Sequence, residues 1–251
     1  REIKITRKLF QGLVYILIFL ITISPWLLHN YSKHGEAKLS SISGFNLLLY
    51  NVAYTEVSIT GKTIDEVRSE WHIKAAQKGA DTTNIHSFEN SEIYKTLAKQ
   101  YIHDNFFPYT KRHLMGTINM YAGLGTQKFS ALLHLKTETK NSDPFAGPGI
   151  VKRIMNFIQG KTIAILVVAL LLGIYLMVNY LFLIYGVFVL WKHKEIIMMT
   201  LFILIILYFS ALTGVVGYDR YRIPFMPFIN IICATGIIAL YDKFIARSVN
   251  K

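Results

Sequence analysis

Residues 218–228, YDRYRIPFMPF, crowd two arginines, two tyrosines and an aspartate into five positions and follow them with two prolines. An arginine guanidinium presents a planar fork of donors that matches phosphate oxygens. Tyrosine hydroxyls add hydrogen bonds while their rings stay in the zone between water and lipid. Pro224 and Pro227 lack N–H groups and fix their own φ, which makes a rigid entry to a following helix. Two readings fit this pattern. In one, Arg220, Arg222, Tyr218 and Tyr221 form a lipid-phosphate-binding site. In the other, the stretch is an interfacial anchor in which Asp219 pairs with an arginine.

Other chemistry-bearing residues are dispersed. The sequence holds no GxGxxG, Walker loop, HExxH or GxSxG pattern. His103, His113 and His134 lack the spacing of metal ligands, so neither a metal nor a cofactor is expected. Asp104 and Asp143 are each one of 11 acids in residues 30–160, where an isolated aspartate is ordinarily a solvated side chain. Basic residues alternate with acids and form no stripe, which argues against nucleic acid as a partner.

The elements that position the arginine turn are membrane helices. Of 251 residues, 53% are hydrophobic, 14% aromatic and 17% charged, yet the formal charge is +12. That hydrophobicity excludes a disordered chain, and the single cysteine, Cys233, excludes a disulfide scaffold. Residues 9–28 form an apolar run without a charge, and about 20 residues at 1.5 Å each match a hydrocarbon core of about 30 Å. Residues 162–191, 196–217 and 223–241 are three further runs, with Asn179 the most polar side chain in the first of them. The expected fold is an all-α integral membrane protein with four transmembrane helices. Its expected divisions are residues 1–29, 30–160 and 161–251.

Orientation follows from the basic residues, which favour the cytoplasmic side. Arg1, Lys4, Arg7 and Lys8 place the N-terminus inside, and four crossings return Lys243, Arg247 and Lys251 to the same side. Lys192 and Lys194 also fall inside. Residues 30–160 are then external, and so is the short turn carrying Arg220 and Arg222, which opposes the rule. The location expected is the cytoplasmic membrane.

The external segment reads as a helical cap. Residues 63–78 place Ile64, Val67, Trp71 and Ala75 at helical spacing, with Thr63 and Glu66 disposed for a capping box. Residues 91–103 form a second amphipathic helix with Ile93, Leu97, Tyr101 and Ile102 on one side, and helical period resumes over 109–121 after Pro108. Residues 45–54, FNLLLYNVAY, are too few to span, so they pack on the membrane surface or on other helices. Residues 143–149 read as a turn.

Three passages, taken with their order and spacing, resemble the polyprenyl-phosphate-sugar-dependent glycosyltransferases of family 39 and its relatives, which include protein O-mannosyltransferases and lipid A aminoarabinose transferases. RYRIPFMPFINIICATGI (220–237) is similar to the stretch that opens a late membrane helix in that family. SPWLLHNYSKHGEAKLSSISGFNLLLYNVA (24–53) resembles its pattern of Pro-Trp, Asn-Tyr, Gly, Ser and Gly-x-Asn-Leu. TLAKQYIHDNFFPYTKRHLMG (96–116) resembles the helix that leads to Pro-Tyr and a basic segment. His29 stands where many relatives carry arginine.

The resemblance implies transfer of a sugar from a polyprenyl-phosphate donor to an acceptor glycan, lipid or protein at the outer membrane face. It implies that Arg220, Arg222, Tyr218 and Tyr221 hold the leaving phosphate. Trp26, Asn30, Tyr31, Asn46, Tyr50 and Asn51 become candidates for a substrate groove. It also implies a larger GT-C fold, of which this chain is the C-terminal portion, with the catalytic acid upstream of residue 1. The rival expectation is a non-catalytic membrane anchor or assembly subunit displaying an external helical cap. A channel or transporter is disfavoured, since the spans contain no buried acid or repeated broken helix.

Overall fold

The computed structural model describes residues 5–132, 158 and 161–249, and every regular element among them is helical. His134, Asp143 and the turn expected at 143–149 lie outside the described residues. Four helices are long and apolar enough to cross a membrane: Leu9–His34, Ile163–Lys192, Ile196–Thr213 and Asp219–Ile245. The chain divides into two compact units, Arg1–Thr110 and Lys111–Lys251.

In the first unit, α1 (Ile5–His34) carries the first apolar run and continues to His34 with Pro25 inside it. Pro25 is tolerated within such a helix because local adjustments re-satisfy the backbone groups it frees. The stretch FNLLLYNVAY is helical throughout. It runs from α2 (Ile42–Asn46) through a π-helical segment (Leu47–Val52) into α3 (Ala53–Thr60). Of the two packing modes open to it, the structure uses other helices. Leu48, Leu49, Val52 and Ala53 form a core with Val67, Trp71 and Ala75 of α4 (Ile64–Gln77) and with Tyr94 and Ala98 of α5 (Phe88–Asp104).

Local signals set the ends of these helices. Thr63 and Glu66 form the expected capping box: the Thr63 hydroxyl accepts from the Glu66 N–H, and the Glu66 carboxylate accepts from the Thr63 N–H. A cap of this kind contributes about 1 kcal/mol. Ser87 caps α5 through the Asn90 N–H, so α5 starts three residues earlier than residue 91. Its buried face also differs from the expected one. Ser91, Tyr94 and Ala98 are fully buried, whereas Leu97, Tyr101 and Ile102 only flank the core. Small side chains explain this, because α2 approaches at Gly44, where a Cβ would lie 2.0 Å from the Ser91 carbonyl oxygen.

The unit boundary falls within α6 (Phe106–Ala122), which begins before Pro108; the proline occupies the first turn, where no N–H is needed. The second unit continues with α7 (Thr126–Leu132), α8 (Ile163–Lys192) and α9 (Ile196–Thr213). A 3₁₀ helix (Asp219–Phe225) then leads into α10 (Met226–Val249). α9 stops four residues short of the expected Gly217, and the arginine turn takes the form of this 3₁₀ helix. α8 and α10 cross closely at Gly186, where an added Cβ would meet the Ile232 carbonyl oxygen at 2.0 Å. Small residues let apolar helices approach in this way where lipid supplies no hydrophobic drive. The core of this unit comprises Met120, Phe225, Ile229 and Cys233.

Candidate membrane-surface phosphate site

The 3₁₀ helix separates its two arginines. Tyr218 sits at its N-terminus in extended conformation, and the Tyr221 N–H donates to the Tyr218 carbonyl at 3.0 Å. Phe225, fully buried in the core with Met120, Ile229 and Cys233, pins the other end. At three residues per turn, positions two apart point to different sides.

Arg222 turns inward. Its Nη1 donates to the Tyr121 carbonyl at 2.9 Å and lies 3.4 Å from that of Met120. The Tyr180 hydroxyl, from the middle of α8, donates to the same Tyr121 carbonyl at 2.7 Å. These carbonyls end α6, where the last turn has no intrahelical donors, so Arg222 and Tyr180 act together as a side-chain cap. The Tyr121 hydroxyl is in turn 2.6 Å from the Ser210 hydroxyl, which donates to the Ile206 carbonyl of α9. Burial raises the Tyr121 hydroxyl above its ordinary pKa, with the Ser210 bond opposing. The phenol therefore stays neutral and bonded.

Arg220 turns outward. It is exposed, with its guanidinium carbon 5.3 Å from the Tyr218 ring centroid and 5.2 Å from that of Tyr221. Among the described residues its one hydrogen bond, to the Tyr221 hydroxyl, is long at 3.5 Å. The donors of this fork are thus directed by two rings and remain open to water. Asp219 pairs with neither arginine; it takes Lys128 of α7 at 2.9 Å. The partner of Asp219 is thus a lysine of α7 rather than the arginine that the anchor reading gives it.

Near this cap lies an open apolar groove of about 360 Å³ on α8. Tyr121 and Tyr180 form its polar end, and Leu124, Gly173, Leu176, Met177, Leu181 and Ile184 are among its walls.

The other candidate residues belong to the first unit. Trp26 Nε1 donates to the Leu39 carbonyl at 2.8 Å, and the ring stacks on His29. Buried Asn30 donates to the Lys38 carbonyl at 2.6 Å. Both side chains therefore hold the loop after α1 against the end of that helix. Tyr31 and Asn46 are exposed. Tyr50 lies under the guanidinium of Arg68, and Asn51 hydrogen-bonds the Tyr109 hydroxyl. The structure joins Trp26 and Asn30 through one loop and gathers Tyr218, Arg220 and Tyr221 into one cluster. The two sets fall in different units.

Tyr121, Tyr180, Lys128 and Arg68 are the contributors that sequence reading missed. Tyr180 did leave a signal, being a hydroxyl in the centre of an apolar run beside Asn179. The Asn179 side chain donates to the Tyr175 carbonyl one turn earlier, and its backbone carbonyl accepts from the Cys233 thiol of α10. Among the described residues no three His, Cys, Asp or Glu side chains gather closely enough to hold a metal ion. No family model, curated protein or solved structure matches this chain.

Proposed function

We propose that the chain belongs to a membrane glycosyltransferase that moves a sugar from a polyprenyl-phosphate donor to an acceptor at the outer face of the cytoplasmic membrane. The observation that carries this reading is Arg220, an exposed guanidinium directed by two tyrosine rings at the start of an apolar span. A phosphate on an isoprenoid tail needs such a cation beside lipid. The groove on α8 suits the tail, and the resemblance of residues 24–53, 96–116 and 220–237 to the family supplies the reaction class. Both termini are cytoplasmic in this reading, and residues 30–160 are external.

In the transfer, an acceptor nucleophile attacks the anomeric carbon as the bond from that carbon to the phosphate oxygen breaks. A general base takes the acceptor's proton. Negative charge grows on the leaving phosphate, and Arg220, already oriented, stabilises it there. Tyr218 and Tyr221 orient Arg220.

The intact gene product, supplied with labelled polyprenyl-phosphate sugars, tests this directly. Transfer that is lost in Arg220→Ala, with the protein still folded, supports the reading; transfer unaffected by that change removes Arg220 from the site. The rival, a non-catalytic anchor or assembly subunit, draws on the Asp219–Lys128 and Arg222–Tyr121 contacts, which use those charges inside the fold. It predicts no transfer from any such donor.

A further inference from the structure

Arg68, on α4 of the first unit, is partly buried and held at three points. Its Nε donates to the Leu49 carbonyl of the π-helical segment at 2.9 Å. Its guanidinium carbon lies 4.5 Å from the Tyr50 ring centroid and 5.9 Å from that of Tyr54. Among the described residues no carboxylate comes within ion-pair distance of it, and its two terminal amino groups make no hydrogen bond. Glu56, on α3, is engaged by Trp71 Nε1 at 2.5 Å. His72, one turn further along α4, is held below its ordinary pKa first by burial and then by the Arg68 charge.

These contacts leave a particular chemistry unfilled. A cation withdrawn from part of its water is normally compensated by a carboxylate. Here a backbone carbonyl and two π-faces take one edge and one face of the guanidinium, while the outer edge keeps its paired donors. That edge is a fork for a bidentate oxyanion. Because stacking and the Nε bond already fix its plane, an incoming anion orders little further side chain. The π-helical turn that supplies the carbonyl is itself a rare device, found often at functional sites.

We propose that Arg68, supported by Tyr50, is an oxyanion-binding site that receives a carboxylate or phosphate group of a ligand bound by the polar segment. It rests on the geometry around Arg68 and not on the role proposed for Arg220.

The test uses the full chain, labelled with ¹⁵N in detergent micelles. The Arg68 Nε–Hε signal, identified by its loss in Arg68→Lys, is followed during titration with inorganic phosphate, with acetate and with chloride at equal ionic strength. A saturable shift is expected with phosphate or with acetate, and whichever is effective names the ligand group. Tyr50→Leu removes the supporting ring and should weaken that binding by about tenfold. Tyr50→Phe keeps the ring and should bind as the wild type does, and Arg220→Ala should leave the titration unchanged. If phosphate and acetate move the signal no more than chloride does, the site does not exist.

Discussion

The Arg222 guanidinium and the Tyr121 carbonyl meet at 2.9 Å, and this bond separates two arginines that share one short turn. Arg222 completes the end of α6, together with Tyr180. Arg220 is left with tyrosine rings and water. One residue holds the fold while the other stays exposed beside two tyrosine rings, although both are the same amino acid two positions apart.

Different losses should follow from replacing each. Arg222→Ala deletes a charge-assisted bond to a helix end, and such bonds contribute about 1.5–3 kcal/mol. Its melting midpoint in detergent should fall, and Tyr180→Phe should lower it by a smaller amount. Arg220→Ala should melt as the wild type does and lose affinity for polyprenyl phosphate by about tenfold or more. The division of roles fails if Arg220→Ala destabilises the protein as much as Arg222→Ala.

Gly116 gives a sharper stability test. Glycine inside a helix costs about 1 kcal/mol relative to alanine, so Gly116→Ala would ordinarily help. Here the new Cβ would lie 1.8 Å from the Gly214 carbonyl oxygen and 2.7 Å from that of Val215. Those atoms are backbone and cannot rotate away. Overpacking costs about 1–3 kcal/mol or more, so the clash outweighs the propensity gain. Gly12→Ala, with nothing within 4 Å of the added atom, serves as the comparison and should be tolerated. A Gly116→Ala protein as stable as the wild type would mean that α6 does not sit on Gly214.

Much of the fold was legible because its signals are local. Length and apolarity marked all four candidate spans, and Thr63 with Glu66 marked the start of α4. The burial of α5 was not, since it depends on which face meets Gly44, a partner 47 residues away from Ser91. Apolar periodicity favours Leu97 and Ile102, but close approach favours Ser91 and Ala98. The arginine turn was conspicuous for the same reason that its division of roles was hidden. Its composition is local, whereas the bonds that distinguish Arg222 from Arg220 reach Tyr121 and Tyr180. Arg68 gave no signal at all, because its site depends on a π-helical turn that no residue pattern announces.

Asn90 should be among the most sensitive polar positions of the first unit. It is 1% exposed; its Oδ1 accepts from the Asp81 N–H at 2.8 Å, and its Nδ2 donates to the Asp81 and Asn84 carbonyls at 2.7 and 2.9 Å. Asn90→Ala removes all three bonds to the backbone of Asp81 and Asn84, an expected loss of about 1–3 kcal/mol. Asn90→Asp should be worse above the carboxylate pKa, because an oxygen replaces the nitrogen facing two carbonyls. Equal melting of the two variants at neutral pH would show that the loop does not depend on the amide's polarity.

Glu92 ties the pH response of the first unit to the loop after α1. Hydrogen bonds from Lys38 at 2.8 Å and Lys95 at 3.0 Å hold its carboxyl down at about 2, against an ordinary value of 4.5. Lys38 also presents its carbonyl to Asn30, so this contact links α5 to the end of α1 through one residue. A depressed folded-state pKa means that the unfolded chain takes up the proton first as pH falls. The stabilisation is therefore complete above the unfolded value and is lost as pH descends from 4.5 toward about 2. Glu92 is half exposed, so solvent screening keeps the effect small. Thermal melting of the wild type and Glu92→Gln across this range provides the measurement. The wild type should be the more stable at neutral pH, and the gap should close through the acid range. A gap that persists unchanged at the acid end would assign the difference to packing rather than to the charge on Glu92.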